Sequence, residues 1–409
     1  MKVRIIHQYF HPDLSSTSQV ISQVAFYLAG KGDEVSVLCS RNRYDGSQEA
    51  MLKARETVMG VDIRRCWGPS LPRRVPVGRV LNMFSFCASA AVRALSAPRA
   101  DVVMFMTDPP LFSVLGSLLK RLRGERFVYV LMDVYPQVAV KAGMIREQSP
   151  VERVLRGIAR TALKEADAVI VLGEDMKKEA IRSGASPEKV TVIRNWADPE
   201  VVFPVPREEN RFRRELGLDG RFVVAYSGNL GVSHDFRDLM AVAEELAPRD
   251  DIRFIFVGDG VRLGEVKELA ASRRLPNIIF RPYQGFFALA ESISAGDVHF
   301  VSLRSGFEGL VVPSKVYGIM AAGRPVIYQG EGSGEVARMV EREGIGFVIH
   351  PGDRDGLRDR ILLLYRDRAA RERMGEAARR VLLEKYSAAS GLARYRRVLA
   401  QGDTGIDRS

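Results

Sequence analysis

Two glycine-bearing segments in the second half of the chain have the residue types needed to hold a phosphate. In the first, an apolar run Phe222–Ser227 passes into Gly228-Asn229-Leu230-Gly231, and Ser233 is expected to open a helix with Phe236, Leu239, Met240, Ala243 and Leu246 on its buried face. A glycine turn at a helix N-terminus offers an anion free backbone N–H groups and the positive end of the helix dipole. A glycine turn after a strand is also simply a turn, so this segment by itself leaves both readings open. The second segment is Phe307-Glu308-Gly309-Leu310-Val311-Val312-Pro313-Ser314-Lys315-Val316-Tyr317-Gly318. Ser314 is placed to cap a helix and Gly323 to end it. Lys315 then falls in the first turn, where a cation opposes the dipole by a few tenths of a kcal/mol to about 1. A lysine pointing into water bears that cost cheaply, whereas a bound anion reverses it. Two helix starts from neighbouring units, one with a lysine, suit a diphosphate.

Elements that could position these loops recur along the whole chain. Short β-branched runs, each followed by a helical period, predict strands at Val3–His7, Glu34–Cys39, Val102–Met106, Phe127–Leu131 and Ala168–Leu172, with helices at Gln19–Ala29 and Val151–Glu165. After the three prolines of Asp198–Arg207 a second series follows, with strands at Phe222–Ser227, Arg253–Val257, Ile278–Phe280, Val298–Val301 and Pro325–Tyr328, and a last helix at about Arg371–Glu384. Such alternation predicts parallel sheets with crossover helices, and ligands at the carboxyl ends of the strands. With 409 residues, two domains are expected, divided near residue 200. The polar tail from Gln401 is expected to fray.

Composition narrows the setting. Hydrophobic residues at 46% and charged residues at 27% exclude collagenous, low-complexity and disordered classes. The net charge is +11, and residues 1–200 hold 29 basic against 21 acidic side chains, whereas the remainder holds 32 and 29. The first half, with Arg64, Arg65, Arg73, Arg74 and Arg79 in a proline-bearing stretch expected at the surface, is therefore the face for an anionic partner. Helix-turn-helix, zinc-ligand and ribonucleoprotein signatures are missing, which argues against nucleic acid. Three cysteines, Cys39, Cys66 and Cys87, fit neither a disulfide framework nor a metal set, and point to a reducing, cytoplasmic setting. No signal peptide is read. The 13 residues Val80–Val92 fall short of the roughly 20 that cross a bilayer. They are either a core helix or an apolar element resting on lipid beside the arginines.

Several ordered motifs together resemble the family 4 retaining glycosyltransferases. They are Ile5-Ile6-His7-Gln8-Tyr9-Phe10-His11-Pro12-Asp13, Ala166–Leu172, Val192–Asp198, Tyr226–Gly231, Phe256–Gly260, and Val312–Lys315 through Ala322–Val326, spread over nearly the whole length. The resemblance implies an α/β GT-B fold, two doubly wound Rossmann-like domains facing across a cleft. Residues 1–200 would bind the acceptor, with the tail from about 385 to 409 packing back on them, and 201–384 would bind the nucleotide-sugar donor. Its nearest branch is similar to the L-fucosamine transferases of exopolysaccharide and O-antigen synthesis. The implied activity is transfer of a sugar, such as an N-acetylated or deoxy hexose, with retention and without metal or cofactor. The donor is a nucleoside diphosphate sugar, UDP being the leading candidate, and the acceptor a lipid-linked saccharide at the inner face of the cell membrane. A nucleotide-sugar epimerase or hydrolase of the same fold, and a noncatalytic nucleotide-sugar-binding partner, remain as alternatives.

Site residues follow from the resemblance, with departures. Gly228, Asn229, Gly231, Asp259, Arg281, Tyr283, Glu308, Gly309, Leu310 and Ser314 fall at donor-binding positions, and Arg73, Arg74 and Arg79 on the acceptor and membrane side. Asn229 and His234 stand where the family has an arginine and a lysine for the diphosphate, and Lys315 stands where its second glutamate is expected. Lys315 is thus expected to restore the lost positive charge, with His234 hydrogen-bonding a phosphate oxygen or the sugar. Asp259 is read first as organising its own turn, and Arg281 and Tyr283 lie where the family meets the base. Asp133, at the end of a first-half strand, is the candidate general base. Ser15-Ser16-Thr17-Ser18 replaces the family's glycines and is read as a cap for the next helix.

Overall fold

The computed structural model describes residues 1–13, 15–43, 52–69, 71, 76–110 and 112–401. The chain forms two compact units, Met1–Arg194 with Leu392–Ser409, and Asn195–Gly391.

The first unit is built on strands β1 (Lys2–Ile6), β2 (Glu34–Ser40), β3 (Arg55–Val58), β4 (Val61–Cys66), β5 (Val102–Met106), β6 (Arg126–Val130), β7 (Ala168–Val171) and β8 (Val190–Val192). Their order is β3-β4-β2-β1-β5-β6-β7-β8, parallel except for the β3–β4 pair. All five residues of β5 are buried, as expected of a central strand covered on both faces. The expected strands of this half appear within one residue of their anticipated ends. β3, β4 and β8 do not follow from the sequence pattern. β8 has only three residues, and β4 reads Val-Asp-Ile-Arg-Arg-Cys, so its buried alternation is hidden by charge.

This changes the expected arginine face. Arg65 is 1% exposed: its Nη1 pairs with Glu56 at 2.6 Å and its Nη2 donates to the His11 carbonyl at 2.9 Å. Arg64 pairs with Asp62. Arg73 and Arg74 lie outside the described residues, and Arg79 falls in the helix Pro76–Ser96. That helix combines both readings of the apolar stretch. Asn82, Phe86, Ala90 and Ala94 are buried, while Val80, Leu81, Phe84, Val92 and Leu95 are exposed, Phe84 at 62% and Val92 at 68%. Ser15 caps the helix Ser16–Gly30 by accepting the Ser18 N–H, as read from the serine cluster.

A helix absent from the expectations, Ala388–Ala400, closes the described chain. From Leu392 it belongs to the first unit: Arg396 pairs with Asp33 at 2.9 Å, and Arg394 and Arg126 bond the carbonyls of Val192 and Leu399 at 2.8 Å each. The polarity of its sequence masks a buried side carrying Tyr395 and Leu399, each 1% exposed.

The second unit has strands β9 (Phe222–Ser227), β10 (Ile252–Val257), β11 (Ile278–Arg281), β12 (Val298–Ser302), β13 (Val326–Gln329) and β14 (Gly346–Ile349), all parallel. Their order is β11-β10-β9-β12-β13-β14. Numbered within the unit this is 3-2-1-4-5-6, the dinucleotide-fold order, which reverses between β9 and β12. Phe222, Val224, Tyr226, Phe254 and Phe256 pack with Phe236, Leu239, Met240 and Leu246 to form its main core. Both sheets thus reproduce the doubly wound α/β architecture expected for each half.

Candidate donor site

The point where the strand order reverses brings the two glycine segments together. β9 and β12 pair directly, Val298 with Val224 and His299 with Ala225, so the chains leaving Ser227 and Ser302 emerge side by side. The turn after β10 supports the first of them from behind. Gly258, at φ +141°, has no room for a side chain, since a Cβ would lie 2.1 Å from the Gly228 oxygen. A Cβ on Gly260, at φ +150°, would lie 2.5 Å from the Leu230 oxygen. The Leu230 N–H donates to the Asp259 carbonyl at 2.8 Å, and Asp259 Oδ1 accepts the Gly260 N–H at 2.7 Å. Asp259 therefore organises its own turn and clamps the neighbouring loop.

Lys315 reaches into this loop. A Cβ on Gly228 would come within 3.2 Å of its Cε, so the glycine leaves space for the lysine stem. Lys315 Nζ donates to the Tyr226 hydroxyl at 2.8 Å and lies 2.9 Å from His234 Nε2. The Tyr226 hydroxyl in turn donates to the Asn229 carbonyl at 2.6 Å. His234 Nδ1 is 2.6 Å from the Ser302 carbonyl, which can only accept. Nδ1 therefore carries the proton, and Nε2 offers its lone pair to the lysine. Nζ also sits 4.6 Å from the centre of the Tyr226 ring, a cation–π distance.

The electrostatics follow from enclosure. Although Lys315 keeps some exposed surface, burial pushes its ammonium pKa down to about 7. Burial first, and the adjacent Lys315 second, hold His234 well below its ordinary value, so the ring is neutral. Burial raises the Tyr226 hydroxyl well above its usual range, with Tyr283 contributing. Among the described residues no carboxylate forms an ion pair with Lys315. A cation lacking a counter-ion beside glycine loops is the electrostatic form of an anion site. The main-chain N–H groups of Asn229 and Gly231 donate to no acceptor among the described residues. Those of Glu308 and Gly309, the latter at φ +74°, likewise have none.

Several expectations change in detail. The helix after the first glycine loop is Arg237–Glu245, so Ser233 does not open it. Asp235 Oδ1 accepts the N–H of Arg237, so an acidic side chain of the protein faces that helix end. Residues 231–236 instead run across the β12 end: Arg304 bonds the Ser233 and Val232 carbonyls, and Ser302 Oγ accepts the Asp235 N–H. Ser314 has helical backbone angles and makes no capping bond to Lys315–Ala321, while Gly323 ends that helix at φ +62° as anticipated. With both ring nitrogens engaged, His234 has no N–H for a phosphate and serves Lys315 instead. The Leu230 amide is likewise occupied, which leaves only its neighbours in the loop.

The remaining donor candidates lie around the same strand ends. Leu310 is buried and Glu308 is half-buried. Glu308 Oε2 accepts the Gly306 N–H at 2.7 Å, holding its own loop, while Oε1 is buried without a partner among the described residues. Tyr283 is 42% exposed beyond β11. The Arg281 side chain bonds back to the Phe280 carbonyl, and the Arg281 carbonyl receives the Gly258 N–H. Tyr226 and Ser302, which fix the lysine and its histidine, were not foreseen. Their sole sequence signal is position, at and just before the ends of the two strands that meet at the reversal.

Asp133 belongs to the first unit, three residues beyond β6, where its N–H and that of Met132 donate to Thr107 Oγ1. Burial, and then the negative charge of Asp108, raise its carboxyl pKa to about 7. Among the described residues no group of three or more His, Cys, Asp or Glu could hold a metal ion. None of their helices is long and apolar enough to cross a membrane.

The two units define the GT-B class of glycosyltransferase folds. The chain superposes on sucrose-phosphate synthase from Thermosynechococcus elongatus with a TM-score of 0.77 at 17% identity, covering 97% of this chain and 99% of that one. WaaG, a glycosyltransferase involved in lipopolysaccharide biosynthesis, gives 0.73 at 15% identity, over 98% and 100%. Anabaena HepE in complex with UDP and glucose gives 0.74 at 16%, over 98% and 99%. Residues 17–196 match the Glycosyl transferase 4-like domain, and residues 208–381 match Glycosyl transferases group 1. A Pseudomonas aeruginosa protein named as a glycosyltransferase, WbjE, is 32% identical over 280 residues, 68% of each chain. WcaI of Escherichia coli (strain K12), named for colanic acid biosynthesis, is 25% identical over 391 residues, 91% of this chain and 95% of that one. The chain belongs to the family 4 glycosyltransferases.

Proposed function

We propose that the protein is a retaining, metal-independent glycosyltransferase of cell-surface polysaccharide synthesis. It moves a sugar from a nucleoside diphosphate donor to a lipid-linked saccharide at the inner face of the cell membrane. The observation that supports this best is Lys315 Nζ, enclosed beside the Gly228–Gly231 loop with two neutral partners and no counter-ion among the described residues. The relative WcaI, named for colanic acid biosynthesis, points to polysaccharide synthesis, and the UDP held by HepE makes UDP the first donor nucleotide to test. The likeness to L-fucosamine transferases suggests an N-acetylated or deoxy hexose.

Departure of the diphosphate from an oxocarbenium-like carbon is the demanding event in this chemistry, so fixed donors at the leaving oxygens lower the barrier most. Lys315 and the free amides of Asn229 and Gly231 supply them. A departing phosphate oxygen takes the acceptor proton, and no covalent nucleophile is needed. Asp133, whose carboxyl pKa burial and then Asp108 raise to about 7, is the alternative candidate for the base, in its ionised form, if the phosphate oxygen does not take that proton. The exposed stripe Val80, Leu81, Phe84, Val92 and Leu95, on a unit with a basic surplus, supports docking on anionic lipid.

Incubation with UDP-, GDP- and dTDP-sugars and a membrane lipid extract tests this reading. Nucleotide release that requires the lipid fraction, with the anomeric configuration of the donor kept in the product, is the expected result. Donor consumed equally well without lipid would reveal an epimerase or hydrolase, and donor bound but never consumed a noncatalytic partner.

A further inference from the structure

The hydrogen-bond arithmetic around Lys315 has a thermodynamic consequence. Nζ meets two acceptors, the Tyr226 hydroxyl and His234 Nε2. Neither can turn to donate to it, because the Tyr226 proton is committed to the Asn229 carbonyl and the His234 proton to the Ser302 carbonyl. A neutral amine has two N–H groups, which these acceptors satisfy completely. An ammonium has three, and the third has no acceptor among the described residues. The empty site is therefore matched to the amine, and the site with a phosphate oxygen beside Nζ is matched to the ammonium.

The charged groups nearby do not disturb this count. On the His234 loop, Asp235 pairs with Arg237. Arg262, whose guanidinium donates to the His234 carbonyl, pairs with Glu265. Arg304 bonds the Val232 carbonyl and lies over the Phe307 ring. Glu308 holds the Gly306 N–H, Asp259 holds the Gly260 N–H, and Tyr283, 42% exposed, acts on Tyr226 electrostatically. None of these carboxylates forms an ion pair with Lys315.

We propose that binding of a nucleoside diphosphate sugar is coupled to uptake of one proton by Lys315 Nζ. This rests on the donor reading above. The proton comes from solvent, an N–H bond forms at the amine lone pair, and no other bond breaks. The donor brings no proton of its own, since both phosphates of a diphosphate diester are fully ionised near neutrality. Donor binding thereby switches on the charge that the leaving group later needs, and an empty site avoids housing a bare cation.

Calorimetric titration with UDP-glucose, or with the GDP- or dTDP-sugar that binds if it does not, tests the coupling in buffers of different ionisation enthalpy. Observed heat plotted against that enthalpy should give uptake of roughly half a proton per nucleotide at pH 7 and most of one at pH 8, as follows from a group titrating at about 7 when the site is empty. Lys315→Arg, whose guanidinium stays charged, should abolish the slope while some binding remains. Lys315→Met serves the same comparison if the arginine variant does not fold. Binding with zero slope at both pH values overturns the coupling and leaves the donor reading intact. A slope that survives in the variant places the proton elsewhere and also overturns it. Failure of every nucleotide sugar to bind removes the donor reading, and the coupling with it.

Discussion

Lys315 Nζ and His234 Nε2 stand 2.9 Å apart across the end of β12, and the far nitrogen of the same ring is tied to the Ser302 carbonyl. The histidine therefore holds the lysine by its lone pair and brings no charge of its own. Residues 81 positions apart become one unit only because β9 and β12 pair.

Replacing Lys315 with alanine should lower kcat/KM for the donor by about 10²–10³-fold, the range seen when one fixed donor to a developing oxyanion is removed. Steady-state kinetics at pH 7, beside a circular dichroism spectrum showing retained fold, measures this. Unchanged Michaelis constant and turnover would mean that the positive charge lost at Asn229 is not restored here.

Gly258→Ala should destabilise the second unit by roughly 2 kcal/mol or more, since the new methyl would sit 2.1 Å from the Gly228 oxygen at φ +141°. Gly217→Ala isolates the conformational part of that cost. It also sits at positive φ, +62°, but nothing lies within 4 Å of the added carbon, so about 1 kcal/mol is expected. Denaturant unfolding of the two variants should separate clash from backbone preference, and equal losses would show that the loops can part without cost.

Asp133 sets a pH dependence of stability. Its folded pKa is raised to about 7 from 3.8, so the folded state holds a proton that the unfolded chain releases. That contribution is complete below the unfolded value and is lost as pH rises through the folded one. Asp133→Asn should consequently raise the melting temperature relative to the parent more at pH 8 than at pH 5. Thermal unfolding at the two pH values checks the sign, and a benefit confined to pH 5 would contradict it.

Phe84→Ser combined with Val92→Ser should weaken sedimentation with anionic liposomes by roughly tenfold, because both side chains belong to the exposed apolar stripe. Unfolding free energy should move by no more than about 0.5 kcal/mol for surface positions of this kind. Undiminished liposome binding would take this stripe out of the membrane contact.

Much of the fold is legible in the residues. Val3, Val102, Phe222 and Val298 open runs whose apolar, β-branched character has no other stable use than a buried parallel strand. Strands whose burial is shared with charge escape that pattern, as Val61–Cys66 shows, since Arg65 is buried by partners that lie in other parts of the chain. The helix Ala388–Ala400 escapes it for a similar reason, because Tyr395 finds its burial in a unit whose strands lie at the other end of the sequence.

The chemistry divides along the same line. Residue types and spacing mark the glycine loop at Gly228 and the lysine at position 315, and the ordered motifs carry the resemblance to a glycosyltransferase family. What they could not convey is which hydrogen-bond partner each polar group takes. That Tyr226 and His234 both accept from Lys315, and that Asp259 clamps Leu230, are outcomes of distance between segments far apart in sequence. Local sequence fixes backbone preference and burial pattern over a few residues. Protonation states and donor counts depend on neighbours brought together only by packing, and for those the tertiary structure alone decides.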